Sequence, residues 1–278
     1  MADTDQLAIV RLGADDARAG LALSAEAQWN QNEADWRFFL TQATAFGVRD
    51  HRGHLIATAA LLPYTSGNAW ISMVLVTAPW RRCGVATKLV DACLDAAAKQ
   101  GLTPWLDATP AGAHVYGALG FVPTLQLRRL RLENSARAKA AGTSPGLAAC
   151  DLREFIARDH RAMGFGRDIL LAELGGRPGS RLLSDGDAIA LVRDGRKARH
   201  IGPVFASSPD RALGMVEEIV RSETGPWLID AVNAQDDFLS GLTGAGWAVE
   251  RPFQRMRFGG APAQVAELPF AVAGPEFG

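Results

Sequence analysis

Hydrophobic residues follow two rhythms in the middle of this chain, and the switch between them marks its most informative stretch. From Trp70 to Thr77 the run Trp-Ile-Ser-Met-Val-Leu-Val-Thr is almost continuously apolar, without alternation. That suits a strand buried on both faces, although so short a run also fits a buried helix. Pro79 ends it, because proline lacks the N–H that a sheet ladder needs. From Val85 the period changes: Val85, Leu89, Cys93 and Ala97 step by four, with Ala86, Val90 and Leu94 beside them, as on one face of a helix. Asp95 and Lys99 add a favourable i,i+4 pair. The unit is strand, basic glycine turn, helix.

The same patterns predict the elements around it. Ile9–Leu12 reads as a strand, and a helix capped by Asp15 or Asp16 runs through Leu21, Leu23 and Ala25 towards Gln28. A polar segment framed by Trp29 and Trp36 comes next, with Trp36, Phe39 and Leu40 as core anchors of a second helix. Phe46 to Leu61 is a hairpin turning at Gly53, which leaves His51 and His54 in an exposed loop. After Gly101, Pro104–Ala108 is a strand parallel to the central one, since a helix intervenes. A short helix from Ala113 to Leu119 and an alternating strand from Leu125 to Leu132 complete the first half.

The order then repeats more faintly. Residues 134–146, rich in Ala, Ser, Lys, Gly and Pro, read as a linker between a domain at 1–133 and another at 147–278. The second half predicts a helix at Leu152–Met163, strands at Ala188–Arg193 and His200–Ala206, and a helix capped by Ser207 or Ser208 that continues to Val220. A strand at Trp227–Asp230, a helix at Gln235–Leu242 and a strand at Phe253–Phe258 complete it. Leu119-Gly120-Phe121 and Ala245-Gly246-Trp247 occupy corresponding places in the two halves, as in a duplicated fold. The class expected is α/β, with a mixed sheet in each half.

The chemistry sits at the turn Arg81-Arg82-Cys83-Gly84-Val85-Ala86-Thr87. A helix start exposes unpaired N–H groups and carries about half a positive charge, so it attracts anions. Gly84 permits close approach, Ala86 keeps the wall low and Thr87 adds a hydroxyl. The arrangement suits a phosphate or pyrophosphate; the plain alternative is a basic loop that only caps a helix. In the second half Ser207-Ser208-Pro209-Asp210 stands at this place, with no glycine and an added negative charge.

Arg81-x-x-Gly84-x-Ala86 between an apolar strand and an amphipathic helix resembles the signature of the GNAT acyltransferase superfamily. Leu106-Asp107-Ala108-Thr109-Pro110 and Val115-Tyr116-Gly117-Ala118-Leu119-Gly120-Phe121 extend the resemblance. The closer likeness is to bacterial tandem GNAT proteins with an intact N-terminal half and a degenerate C-terminal one. The resemblance implies two acyl-CoA N-acyltransferase folds, each with a splayed central parallel strand pair flanked by helices. It implies acetyl-CoA bound by Met73, Val74, Leu75, Val76, Arg81, Arg82, Cys83, Gly84, Val85, Ala86, Thr87 and Tyr116 of the first half only. It implies Tyr116 as the acid for the departing thiolate, and an acceptor pocket at Trp29, Asn30, Glu33 and Asp107. Asp107 is the candidate base, with His114, Glu33 and water as alternatives; Tyr116 as mere aromatic packing over the cofactor also stays open. The function implied is transfer of an acetyl group to a primary amine of a small molecule. A mycothiol-synthase-like acetyltransferase and a non-catalytic acyl-CoA sensor are the other readings.

Composition narrows the partners. The formal net charge of −1 has no long run of one sign, which speaks against nucleic acid or an anionic membrane surface. Cys83, Cys93 and Cys150 are odd in number and lack ligand-spaced histidines, so neither a disulfide framework nor a metal site is expected. The acidic, polar start and the absence of a long apolar run lead to the expectation of a cytoplasmic protein.

Overall fold

A computed structural model describes residues 7–133, 147–260 and 265–278 of the chain, so the linker expected at 134–146 lies outside the described residues. Two compact units divide it, Met1–Leu106 and Asp107–Gly278.

The first unit holds β1 (Ile9–Arg11), α1 (Ala17–Glu26), α2 (Glu33–Gln42), β2 (Thr44–Arg49), β3 (Leu55–Tyr64), β4 (Asn68–Val76), α3 (Val85–Lys99) and the start of β5 (Thr103–Ala108). Strands β1 to β4 pair antiparallel in sequence order, and β4 pairs parallel with β5. The apolar central run is therefore a strand, buried along most of its length. The polar segment between the tryptophans is in part a helix start. Asn32 Oδ1 accepts from the Asp35 N–H and Asp35 Oδ2 from the Asn32 N–H, a reciprocal cap at 3.0 and 2.9 Å. Trp36 is buried and donates through its indole to Ser24 Oγ at 3.0 Å, tying α2 to α1.

Strand β4 departs from regular pairing on both of its sides. Pairing with β3 shifts register between Thr58 and Ala60, so Met73 and Val74 form a bulge opposite Ala59, with Met73 at φ +53°. The Thr58 hydroxyl donates to the Met73 carbonyl at 2.7 Å and fixes it. Pairing with β5 covers only Asn68–Trp70 against Thr103–Trp105. There Trp70 and Trp105 stack at 6.5 Å, and the Trp105 indole donates to Asn68 Oδ1 at 2.8 Å. The pair is stapled at one end and has no ladder pairing beyond it.

The second unit holds α4 (Pro110–Ala118), β6 (Phe121–Leu132), β7 (Ala148–Ala149), α5 (Leu152–Met163), α6 (Asp168–Gly176), β8 (Arg181–Asp185), β9 (Ala188–Arg193), β10 (Arg199–Phe205), α7 (Pro209–Ser222), β11 (Trp227–Val232), α8 (Asp236–Gly244) and β12 (Ala248–Phe258). Its strands lie in the order β12-β6-β11-β10-β9-β8-β7. Strand β6 pairs along nearly its whole length with β12 and over Leu127–Leu132 with β11, which is why it groups with the later elements. Both departures of β4 recur in β10. Its register against β9 shifts between Ile201 and Val204, and it pairs parallel with β11 only at Arg199–Ile201 against Trp227–Ile229. Helix α6 and strands β7 and β8 were not expected. Helix α6 lacks a side-chain cap, and β7 is too short for alternation to show.

This unit buries an unusual number of charges. Asp230 takes Arg129 on both carboxylate oxygens at 2.8 Å and His200 Nε2 at 2.9 Å, all three side chains being nearly inaccessible. Arg167 binds Asp159, Arg193 binds Glu276 and Arg255 binds Asp107. Such pairs offset their desolvation only while both members are present, and losing one typically costs about 3–5 kcal/mol.

Burial alone would raise the Asp230 carboxyl, but Arg129 and His200 outweigh it and hold it below the usual carboxylate range. Burial, followed by Arg193, depresses the His200 imidazole against the pull of Asp230, so it stays neutral. Asp230 thus contributes stability that is complete above about pH 4 and lost only in stronger acid. His200 contributes stability that is complete above about pH 6.5 and lost as pH falls from there towards its folded value. His200→Gln keeps a donor for Asp230 without the titration. It should flatten the decline of melting temperature between about pH 7 and pH 5; the same slope in variant and parent would place the titration elsewhere.

Candidate functional site

The turn after β4 is built from the first unit alone. A 3-10 turn at Ala78–Trp80 leads to Arg81, and Gly84 caps α3 at φ +78°. The Ala78 N–H donates to Glu26 Oε1 at 2.7 Å and Arg81 Nε to the Val76 carbonyl at 2.9 Å, with a further Arg81–Glu26 contact at 3.5 Å. Arg81 therefore braces the turn from below. Arg82 is exposed, at φ +61°. Cys83 is exposed and its thiol approaches the Arg81 carbonyl, whereas Cys93 lies in the core, where burial pushes its thiol up to about 12.

No side chain caps α3 and its first turn has no acidic residue. The first N–H groups of a helix have no acceptor within it. A Cβ on Gly84 would meet nothing within 4 Å, so the space beside this backbone is open. Free donors, positive dipole and open approach fit a diphosphate.

Around the α1–α2 connection, Asn30 and Gln31 are buried and Trp29 is half-buried. Glu33 forms an ion pair with Arg37 one turn on, at 2.6 Å, so its carboxylate is already engaged. Gln31 Oε1 and, on β4, Ser72 Oγ are buried with no hydrogen-bond partner among the described residues. Buried polar atoms are nearly always satisfied, so a polar ligand is a natural partner for these two. Neither was singled out from the sequence, because an orphaned atom is visible only once burial is known.

Asp107 and Tyr116 lie in the second unit. The Asp107 side chain is fully buried, and both its oxygens accept from Arg255 at 2.9 Å. Burial pushes the Asp107 carboxyl up, and Arg255 pulls against it. Arg255 was not expected to touch it, being 148 residues away in sequence. A signal did exist: Pro104-Trp105-Leu106-Asp107 recurs, with one residue inserted, as Pro226-Trp227-Leu228-Ile229-Asp230, and Asp230 also sits under a bidentate arginine. Tyr116, half-buried on α4, meets Phe121 edge-to-face at 5.9 Å, and Phe121 meets Phe258 at 5.3 Å. Thr109 caps that helix through the Gly112 N–H, and His114 is exposed.

The counterpart of the Gly84 turn is closed by its own chain. Ser208 caps α7 through the Arg211 N–H at 3.3 Å, Pro209 and Asp210 fill its first turn, and the Ser207 N–H donates to Asp187. Among the described residues no group of three or more His, Cys, Asp or Glu could hold a metal ion, and no helix is long and apolar enough to cross a membrane.

A bulged strand that leaves its parallel neighbour and feeds an uncapped glycine turn defines an acyl-CoA N-acyltransferase fold, and the strand geometry occurs twice here. Comparison with known proteins agrees. Residues 15–121 match the model of the acetyltransferase (GNAT) family, and residues 156–268 match that of an acetyltransferase (GNAT) domain. The uncharacterized N-acetyltransferase YitH of Bacillus subtilis (strain 168) is 22% identical over 232 residues, 80% of this chain and 81% of that protein. A Pyrococcus horikoshii protein assigned as an acetyltransferase superposes with a TM-score of 0.80 at 17% identity, covering 100% of this chain and 98% of that one. A GCN5-related N-acetyltransferase from Sphaerobacter thermophilus gives 0.66 at 16%, covering 95% and 99%. The chain belongs to the GNAT superfamily, as an acyltransferase with two GNAT domains in tandem.

Because the site beside Gly84 is open, Gly84→Ala should leave packing intact and act through backbone strain of about 1–2 kcal/mol. Calorimetric titration should show coenzyme A affinity lowered roughly tenfold with only a small fall in melting temperature. Unchanged affinity would remove this turn from the binding site.

Proposed function

We propose that this protein is an N-acetyltransferase that moves the acetyl group of acetyl-CoA directly to a primary amine of a small molecule. The uncapped, open start of α3 at Gly84 carries the proposal, set against the self-capped start of α7. In this reading the front half binds the cofactor through Met73–Val76 and Arg81–Thr87, and the rear half binds none.

Acetyl-CoA supplies an acetyl group activated as a thioester. The α3 N–H groups and the exposed Arg82 hold its diphosphate, while Arg81 keeps the turn in shape. Backbone N–H groups of the bulged stretch Met73–Leu75, which β5 does not pair, stabilise charge developing on the carbonyl oxygen. One such preorganised donor is typically worth about 2.7–4 kcal/mol.

An amine of ordinary pKa near ~10.4 must shed a proton before it can attack. Asp107 has both oxygens on Arg255, so it positions that end of β5, and water takes the proton. The orphaned Gln31 Oε1 accepts from the acceptor's N–H, beside Trp29 and Asn30. Tyr116 donates its phenolic O–H to the departing sulfur.

A panel of amines assayed by thiol release, with products identified by mass spectrometry, tests the reading; coenzyme A binding without turnover of any amine would favour a sensor. Tyr116→Phe should lower kcat by about a hundredfold or more while acetyl-CoA affinity holds. A kcat equal to that of the parent would refute the acid role.

A further inference from the structure

Beyond Ile201 and Ile229 the parallel pair β10–β11 comes apart, and the gap is filled by the chain itself. Residues 270–272 lie between the two strands, antiparallel to both, with Ala271 bridging Val204 on one side and Ala231 on the other. Four backbone hydrogen bonds hold them. The Val204 N–H donates to the Ala271 carbonyl at 3.0 Å and the Phe270 N–H to the Val204 carbonyl at 2.9 Å. On the other side the Val232 N–H donates to the Phe270 carbonyl at 2.9 Å and the Val272 N–H to the Asp230 carbonyl at 3.0 Å.

The side chains suit the slot. Phe270 packs edge-to-face on Phe238 at 5.3 Å, and Phe270, Ala271, Val272 and Ala273 are all buried. Further along, Arg193 Nη2 donates to the Ala273 carbonyl at 2.9 Å and to Glu276 at 2.8 Å, and Arg167 donates to the Phe277 and Gly278 carbonyls. Gly202, at φ +151° in the β10 bulge, leaves room for this passage: a Cβ there would lie 2.2 Å from the Val272 carbonyl oxygen.

We infer that residues 269–278 are an intramolecular ligand of the rear half. They occupy, as an extended peptide, the strand gap that corresponds to the one between β4 and β5, and so keep that half closed to acyl-CoA. This rests on the reading that the β4–β5 gap of the front half receives the cofactor's pantetheine arm. An amide-bearing chain of small girth is what both gaps would take, since each offers strand N–H and carbonyl groups that have lost their parallel partner. In the rear half a peptide meets that demand in cis, with no dependence on a diphosphate cradle.

The test uses the whole folded chain with a protease recognition sequence inserted between Gly260 and Val265, so that the fold forms before the segment is cut. After cleavage the segment should co-purify with the body without a covalent link. A fluorescent peptide spanning Leu268–Gly278 should exchange into the cleaved protein but not bind the uncut one. Gly202→Ala should speed that exchange about tenfold or more, by crowding Val272. Titration of the uncut chain should give one equivalent of coenzyme A. Departure of the cut segment with no fall in melting temperature, peptide binding by the uncut chain, or a second equivalent of coenzyme A would each overturn the inference. Retention of the segment by a chain that binds no coenzyme A would instead reject the proposed function and leave the rear gap as a peptide-binding slot.

Discussion

Both halves of this protein depend on a parallel strand pair that is allowed only three residues of pairing. At β4–β5 the pair ends after Trp70 and Trp105, and at β10–β11 after Ile201 and Ile229. In each case a bulge against the antiparallel neighbour re-aims the strand, just past the end of the ladder in β10 and a few residues beyond it in β4. Backbone groups in a buried sheet must find partners. A sheet that parts in its middle is therefore a standing demand for something with amide hydrogen-bonding capacity. The fold is organised around how that demand is met.

The two halves meet it differently. In the rear, residues 270–272 supply the missing strand, and Ser208, Pro209 and Asp210 close the helix start next door. In the front, the helix start at Gly84 has no side-chain cap and no acidic residue in its first turn. A duplicated fold can thus satisfy the same backbone demand in two ways, in the second copy from within its own chain.

The buried ion pairs fit the same picture. Asp107 follows its Pro-Trp-Leu directly and Asp230 follows its own one residue later, and each is held on both oxygens by an arginine of another strand, Arg255 of β12 and Arg129 of β6. A carboxylate so held anchors the strands around it. Its cost of burial is offset only by that one guanidinium geometry, which ties strands far apart in sequence into a single register.

Much of this could be read from the residues. The apolar run before Pro79, the four-residue step from Val85 and the turn between them fixed strand, cradle and helix, because burial and helical period are written locally. Helix α5 at Leu152–Met163 and strand β9 at Ala188–Arg193 were legible for the same reason. Helix α6, with no capping residue, and the two-residue β7 were not. Nor could the local pattern show that Arg255 reaches Asp107, that Gln31 Oε1 has no partner among the described residues, or that Phe270–Val272 enters the β10–β11 gap. Those facts depend on which distant segments meet, and period and propensity carry no record of that. The sequence by itself determined the repeated fold and its family, and singled out the basic glycine turn at Arg81–Thr87. Only the tertiary structure decided how each opened strand pair satisfies its backbone, since hydrogen-bond partners across a sheet are set by chain topology rather than by neighbouring residues.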